Sequence, residues 1–187
     1  MRYVFRVQKL ASVAVAGTAD VFPVHRIYCV GQNYANHARE MGSNPEREAP
    51  FFFSKPADAV CPDGSRLAFP LATENLNHEI ELVVAIGKKG TNILAAEALD
   101  YVFGYAVGLD LTRRDLQSDA KKKGRPWATA KGFDNSAPCS VVHTVSEVGH
   151  LKRGSITLSV NGELRQHGDI SDMIWSVAEV VSSLSSF

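Results

Sequence analysis

Residues 77–87 read Asn-His-Glu-Ile-Glu-Leu-Val-Val-Ala-Ile-Gly, an apolar run that carries two glutamates two positions apart. Its β-branched content and the stop at Gly87 predict a buried strand over 79–86 rather than a helix. Side chains on a strand alternate between faces, so Glu79 and Glu81 point the same way as Val83 and Ala85. Two carboxylates side by side on a largely apolar face repel each other and resist leaving water, and a bound cation is the usual remedy. The competing reading is an exposed strand end with two solvated glutamates. The other ionisable residues have to decide between them.

The chain has 187 residues and a hydrophobic content of 45%, enough for one domain with a sizeable core. We read 1–187 as a single domain in which 1–25 is a lead-in strand region. Its 20 basic and 20 acidic residues cancel, so no global field favours nucleic acid or an anionic membrane. The one basic cluster, Lys121-Lys122-Lys123 with Arg125, lies beside Gly124 and Pro126 and reads as a solvated loop. Cys29, Cys61 and Cys139 lack CxxC spacing and are odd in number, which points to a reducing compartment and no zinc knuckle. No stretch reaches the length of a transmembrane helix. Residues 1–19 faintly imitate a signal peptide, with Arg2, Arg6 and Lys9 before an Ala/Val-rich segment. That segment is short and contains a serine, so 12–16 is read as a strand and the chain as cytoplasmic.

Strand signals dominate the rest: 26–30, 51–54, 102–109, 140–144, and a hairpin over 156–165 that turns at Asn161-Gly162, the pair suited to a type I′ turn. Asn33 is placed to cap a short helix over 34–41 ending at Gly42. A second helix follows Asp110, and a third is expected over 172–184, where Met173, Ile174, Val177, Val180, Val181 and Leu184 recur near helical period. Many short strands with few helices predict a β-rich α+β domain.

Three further clusters carry chemistry. On the first helix, His37 and Glu40 lie at i and i+3, and a histidine oriented by a carboxylate serves as a general base near neutral pH. The polar, turn-rich segment 42–50 behind it is suited to a moving lid. Asp110 ends the strand over 102–109, where a third carboxylate beside Glu79 and Glu81 completes an all-oxygen set for Mg²⁺ or Mn²⁺. The alternative for Asp110 is a helix cap. Arg114 and Gln117, again i and i+3, can bind a carboxylate and a carbonyl of a substrate; an ordinary ion pair is the alternative for Arg114. Lys131 sits among small and apolar residues next to Gly132, and Tyr34, Phe51 and Trp127 offer aromatic walls or ordinary core.

Five motifs in this order, GQNYANHAREMG, PFFFSKPADAV, NHEIELVVAIGKKGTNI, VFGYAVGLDLTRRDLQ and WATAKGFDNSAP, resemble the fumarylacetoacetate hydrolase family from about residue 26 onward. The PFFFSKPADAV version resembles bacterial single-domain fumarylpyruvate hydrolases. The resemblance implies a mixed β-roll, a homodimer and a divalent-metal site on Glu79, Glu81 and Asp110. It assigns His37 and Glu40 to a lid dyad, Lys131 to an active-site lysine, and Arg114 and Gln117 to substrate contacts, with Tyr34 beside them. The implied substrates are acylpyruvates or related 2-oxo acids, and the implied reaction is C–C bond hydrolysis, fumarylpyruvate giving fumarate and pyruvate.

Within that family a 2-oxo acid decarboxylase or an enol–keto isomerase is the alternative. Family members also continue past the last helix into a Thr-Gly-Thr-Pro segment and closing strands, and no such motif follows Ser182-Ser183-Leu184-Ser185-Ser186-Phe187. The domain is therefore expected to be C-terminally incomplete, with exposed sheet edges and apolar surface. A catalytically inactive binding or assembly module is the reading from a different class.

Overall fold

The computed structural model of the protein describes residues 2–34 and 48–187. The expected helix over 34–41 lies outside them apart from Tyr34, and so do His37, Glu40 and most of the expected lid. In chain order the strands are β1 (Ser12–Ala14), β2 (Val21–Pro23), β3 (Ile27–Val30), β4 (Phe52–Lys55), β5 (Val60–Pro62), β6 (Leu76–Asn77) and β7 (Ile80–Ile86). They continue with β8 (Val102–Leu109), β9 (Thr112–Arg113), β10 (Ala137–Cys139), β11 (His143–Thr144), β12 (Ser155–Val160) and β13 (Glu163–Asp169). The helices are α1 (Arg114–Lys122), α2 (Ala128–Lys131), α3 (Val145–Val148) and α4 (Val177–Leu184).

The glutamate-bearing run and the run over 102–109 pair antiparallel as β7 and β8, with Glu81 opposite Gly108 and Val83 opposite Ala106. On its other edge β8 meets β10 at Cys139 and then β11 at His143. β10 runs parallel to β5, which makes the sheet mixed. Gly104 lets β11 approach, since a Cβ there would lie 2.3 Å from the His143 carbonyl oxygen. The pairs β1–β2, β3–β4, β6–β9 and the hairpin β12–β13 surround this sheet. Gln166 ties the hairpin to β7 by accepting a 2.8 Å hydrogen bond from the Ile80 N–H. This is the strand-rich α+β fold expected from the sequence.

Strand alternation divides the core. Val83, Ala85 and Ala106 turn to one face and pack with Val13, Val24, Cys139 and Val142. Leu82, Val84 and Tyr105 turn to the other and pack with Val102, Val177 and Val181. Burying each large aliphatic side chain contributes about 1.5–3 kcal/mol against chain entropy. Ile86, Phe103 and Val107 of the β7–β8 pair remain exposed.

Several elements differ from the sequence reading. The strand expected over 140–144 is shortened to β11, with β10 ending before it at Cys139; at Ser140 the side-chain hydroxyl takes the Val107 N–H at 3.0 Å where a backbone carbonyl would otherwise stand. The last helix begins at Val177, since a Ser176–Glu179 capping box starts it there and Met173 is extended. The Asn33 side-chain amide donates to the Trp175 carbonyl at 2.9 Å and accepts from the Trp175 N–H at 2.8 Å; the helix it is expected to cap lies outside the described residues. Tyr34 bridges Met173. Lys121 and Lys122 are not loop residues but the last turn of α1, where positive charge meets the carbonyl end. The hairpin turn has positive φ at both Asn161 and Gly162, as a type I′ turn requires. No described helix is long and apolar enough to cross a membrane.

Candidate active site

Glu79 precedes β7 and Asp110 follows β8, so the antiparallel ladder that joins those strands also joins the two carboxylates. One further rung, Asp110 N–H to the Glu79 carbonyl at 2.8 Å, fixes their backbones together. Lys131, the last residue of α2, reaches both side chains, donating at 2.8 Å to Glu79 and at 2.7 Å to Asp110. Lys131 is 2% exposed and Asp110 8%. Asp110 is not a cap for α1, which starts from Arg113 without a side-chain bond. Arg114 pairs with the second Glu79 oxygen and donates to the Gln117 side-chain carbonyl at 2.6 Å. The structure thus brings Glu79, Asp110, Lys131, Arg114 and Gln117 into one network.

Lys55 completes the network and was not singled out in the sequence. It is 4% exposed, lies 2.9 Å from Asp110 Oδ1, and donates to the Leu111 carbonyl at 3.2 Å and to the Lys131 carbonyl. The signal was alternation: Phe51, Phe53 and Lys55 share one face of a strand that carries an otherwise unexplained lysine.

The environments push these groups apart. Burial opposes ionisation of Glu79, yet Lys131 and Arg114 together hold its pKa below the usual carboxylate range. Burial, then repulsion from Glu79 and Asp110, pushes Glu81 up to about 8. Burial lowers the Lys55 pKa against the pull of Asp110. Burial also pushes Cys29 up to about 12, so this thiol beside the network stays protonated and is no nucleophile. The Tyr34 hydroxyl is buried with no hydrogen-bond partner among the described residues, and burial with the nearby Glu81 raises its pKa to about 12.

Beside this network, residues flanking and forming β4 and α2 line a cavity of about 400 Å³. Phe51, Phe53, Trp127, Arg125 and Lys131 contribute to its wall. The Trp127 ring stands 5.6 Å from both Phe51 and Phe53, and Lys131 lies 5.0 Å over the Phe53 ring. Phe51 and Trp127 therefore line a pocket, whereas Tyr34 stands on the Glu81 side.

The donor set can be tested for a divalent cation. Among the described residues no three His, Cys, Asp or Glu side chains converge as a finished cage; lysine and arginine groups occupy Glu79 and Asp110 instead. The chemistry nevertheless fits a hard ion. All donors are carboxylate oxygens. Asp110 Oδ1 is buried and meets Lys55 in an ion pair at 2.9 Å among the described residues. Glu81 has neither hydrogen bond nor ion pair among the described residues, and proximity of a dication would remove the repulsion that raises its pKa.

Residues 26–187 match the family model described as fumarylacetoacetate (FAA) hydrolase C-terminal. The chain belongs to this family. Among solved structures of the fumarylacetoacetate hydrolase family, it superposes on a fumarylpyruvate hydrolase from Pseudomonas aeruginosa in complex with Mn²⁺ and pyruvate. That match has a TM-score of 0.96 and 54% identity, covering 100% of this chain and 82% of the other. The mitochondrial oxaloacetate tautomerase of Homo sapiens is 46% identical over 159 residues, 85% of this chain and 72% of that protein. The oxaloacetate tautomerase of Escherichia coli is 41% identical over 167 residues, 89% of this chain and 76% of that protein. Members of one family thus share this fold while carrying hydrolase and tautomerase names.

Proposed function

We propose that the protein cleaves a C–C bond of an acylpyruvate with water, taking fumarylpyruvate to fumarate and pyruvate, with Mg²⁺ or Mn²⁺ held by Glu79, Glu81 and Asp110. The observation that carries this reading is the 54% identity and full-length superposition on a fumarylpyruvate hydrolase bound to Mn²⁺ and pyruvate. When bound, the cation supplies Lewis-acid polarisation of the 2-oxo acid end. Arg114 has N–H donors beyond the two engaged by Glu79 and Gln117, and these take the substrate carboxylate. The Gln117 amide N–H₂ is a further donor beside Arg114, and the Tyr34 hydroxyl is one near Glu81. In this reading Glu40 orients His37, which accepts a proton from water while the water oxygen adds to the distal acyl carbonyl carbon. The bond from that carbon to the methylene then breaks. Its electron pair passes into the pyruvate enolate, which takes a proton at carbon, and the acyl group leaves as a carboxylate. Lys131 places positive charge where the enolate oxygen develops. A homodimer belongs to the same proposal, and the exposed apolar Phe103 and Val107 on β8 support it.

The test follows the ultraviolet absorbance of enolised fumarylpyruvate with Mg²⁺, with and without chelator. Chelator-sensitive loss with equal fumarate and pyruvate recovered is the expected result; no loss overturns it. The identity to two oxaloacetate tautomerases favours enol–keto isomerisation as the second reading. That reaction needs a base and enolate stabilisation but no added water, and faster interconversion of oxaloacetate than cleavage of fumarylpyruvate would establish it.

A further inference from the structure

The aromatic cavity contains one charged residue that the mechanism above leaves idle. Helix α1 ends with two locking bonds, Gly124 N–H to the Lys121 carbonyl at 3.2 Å and Arg125 N–H to the Ala120 carbonyl at 2.8 Å. Gly124 makes them possible at φ 60, a left-handed conformation that costs other residues more. The residue after such a glycine commonly folds an apolar side chain back onto the helix. Here that residue is Arg125, and Pro126 follows with its φ fixed and no N–H to satisfy. The backbone of Arg125 is thus held while its side chain remains exposed at the cavity wall.

The guanidinium has no hydrogen bond or ion pair among the described residues. Asp119, an acid that feels its charge, is already engaged by Lys123 at 2.7 Å. The other cation of the cavity, Lys131, is committed to Glu79 and Asp110. One cavity therefore has a positive group neutralised by carboxylates, flat walls from Phe51, Phe53 and Trp127, and a second positive group that no described carboxylate pairs with.

Building on the acylpyruvate reading, we propose that this cavity receives the acyl arm of the substrate and that Arg125 selects arms ending in a carboxylate. The aromatic walls suit a planar conjugated arm. A guanidinium fork binds a carboxylate through two parallel hydrogen bonds, and the apolar walls beside it reduce competition from water. Lys121 and Lys122 on the preceding turn add field of the same sign, which favours dianions on approach. Arg125 is then a substrate contact for the spectator end of the molecule, away from the bond that breaks.

The test compares fumarylpyruvate with acetylpyruvate, which shares the pyruvate half and carries a methyl arm, on the unaltered protein, Arg125→Leu and Arg125→Lys, all with Mg²⁺. Arg125→Leu is expected to raise KM for fumarylpyruvate about 10- to 100-fold while kcat changes little. KM for acetylpyruvate is expected to stay within about twofold, and Arg125→Lys to recover part of the loss. Equal effects on both substrates, or none on fumarylpyruvate, overturn the proposal. If the unaltered protein turns over neither substrate, the acylpyruvate reading fails, and calorimetric binding of fumarate against crotonate then decides the role of Arg125. A preference for fumarate that disappears in Arg125→Leu supports the carboxylate subsite; identical preference in both proteins overturns it.

Discussion

The two sides of Lys131 are built on opposite principles. Toward Asp110, three cations (Lys55, Lys131, Arg114) pair with the carboxylates of Glu79 and Asp110, and Glu81 beside them keeps its proton up to about pH 8. Most positions there are fixed by a ladder rung or a short ion pair. Toward Trp127 the wall is aromatic, the Arg125 guanidinium stands at it without an ion pair among the described residues, and side chains meet by ring contact rather than by hydrogen bond. The first side suits chemistry that every substrate of a class shares. The second suits recognition of the part that varies between substrates.

The contrast breaks most visibly at Lys131. Lys131→Met removes the cation between two buried carboxylates, and turnover should fall by about 10³-fold. Urea unfolding in the presence of chelator should also show a loss of about 3 kcal/mol, because breaking a buried pair leaves charge uncompensated. A small loss on both readouts would show that Lys131 is incidental. Trp127→Leu acts on the other side by removing both ring contacts. It should lower kcat/KM about tenfold through KM, with kcat nearly unchanged, consistent with ring pairs worth about 0.5–1.5 kcal/mol beyond area burial. A change in kcat instead would place Trp127 with the charged network.

A separate effect belongs to Glu81 and is read without metal. Its pKa is about 8 in the folded protein against about 4.5 for an ordinary glutamate, so the folded state binds the proton more tightly than the unfolded one. Stability attributable to Glu81 is therefore full below about pH 4.5 and lost as pH rises through about 8. The melting temperature of Glu81→Gln should exceed that of the unaltered protein at pH 8.5 in chelator, and the difference should vanish near pH 4.5. A constant difference across that range would mean that Glu81 is solvated and ordinary.

Much of the charged side was legible in the sequence because it follows from strand geometry. Alternation set Glu79 and Glu81 apart from Leu82 and Val84, and the end of an apolar run placed Asp110 at the edge of the core. Lys55 was harder to see. Its role depends on β4 lying across β3 and reaching a carbonyl 76 positions away in the chain, which no local pattern carries. Lys121 and Lys122 were harder to see for a related reason, although Arg125 does lie exposed beyond the helix. A run of lysines beside glycine and proline looks like a solvated loop, but Lys121 and Lys122 complete a helix whose end is locked by bonds to the Ala120 and Lys121 carbonyls. The Ser140 side chain, taking the Val107 N–H, shortened the strand expected over 140–144 in a way that β propensity does not register.

The internally paired carboxylates have a consequence for how the protein is made. Small domains that depend on a metal for their shape remain unfolded until the ion arrives. Here the ammonium of Lys131 already stands between Glu79 and Asp110, as a placeholder for positive charge. The chain can reach its fold in an ion-poor setting and be loaded afterwards, and an incoming ion would displace an internal guest rather than fill an open cage.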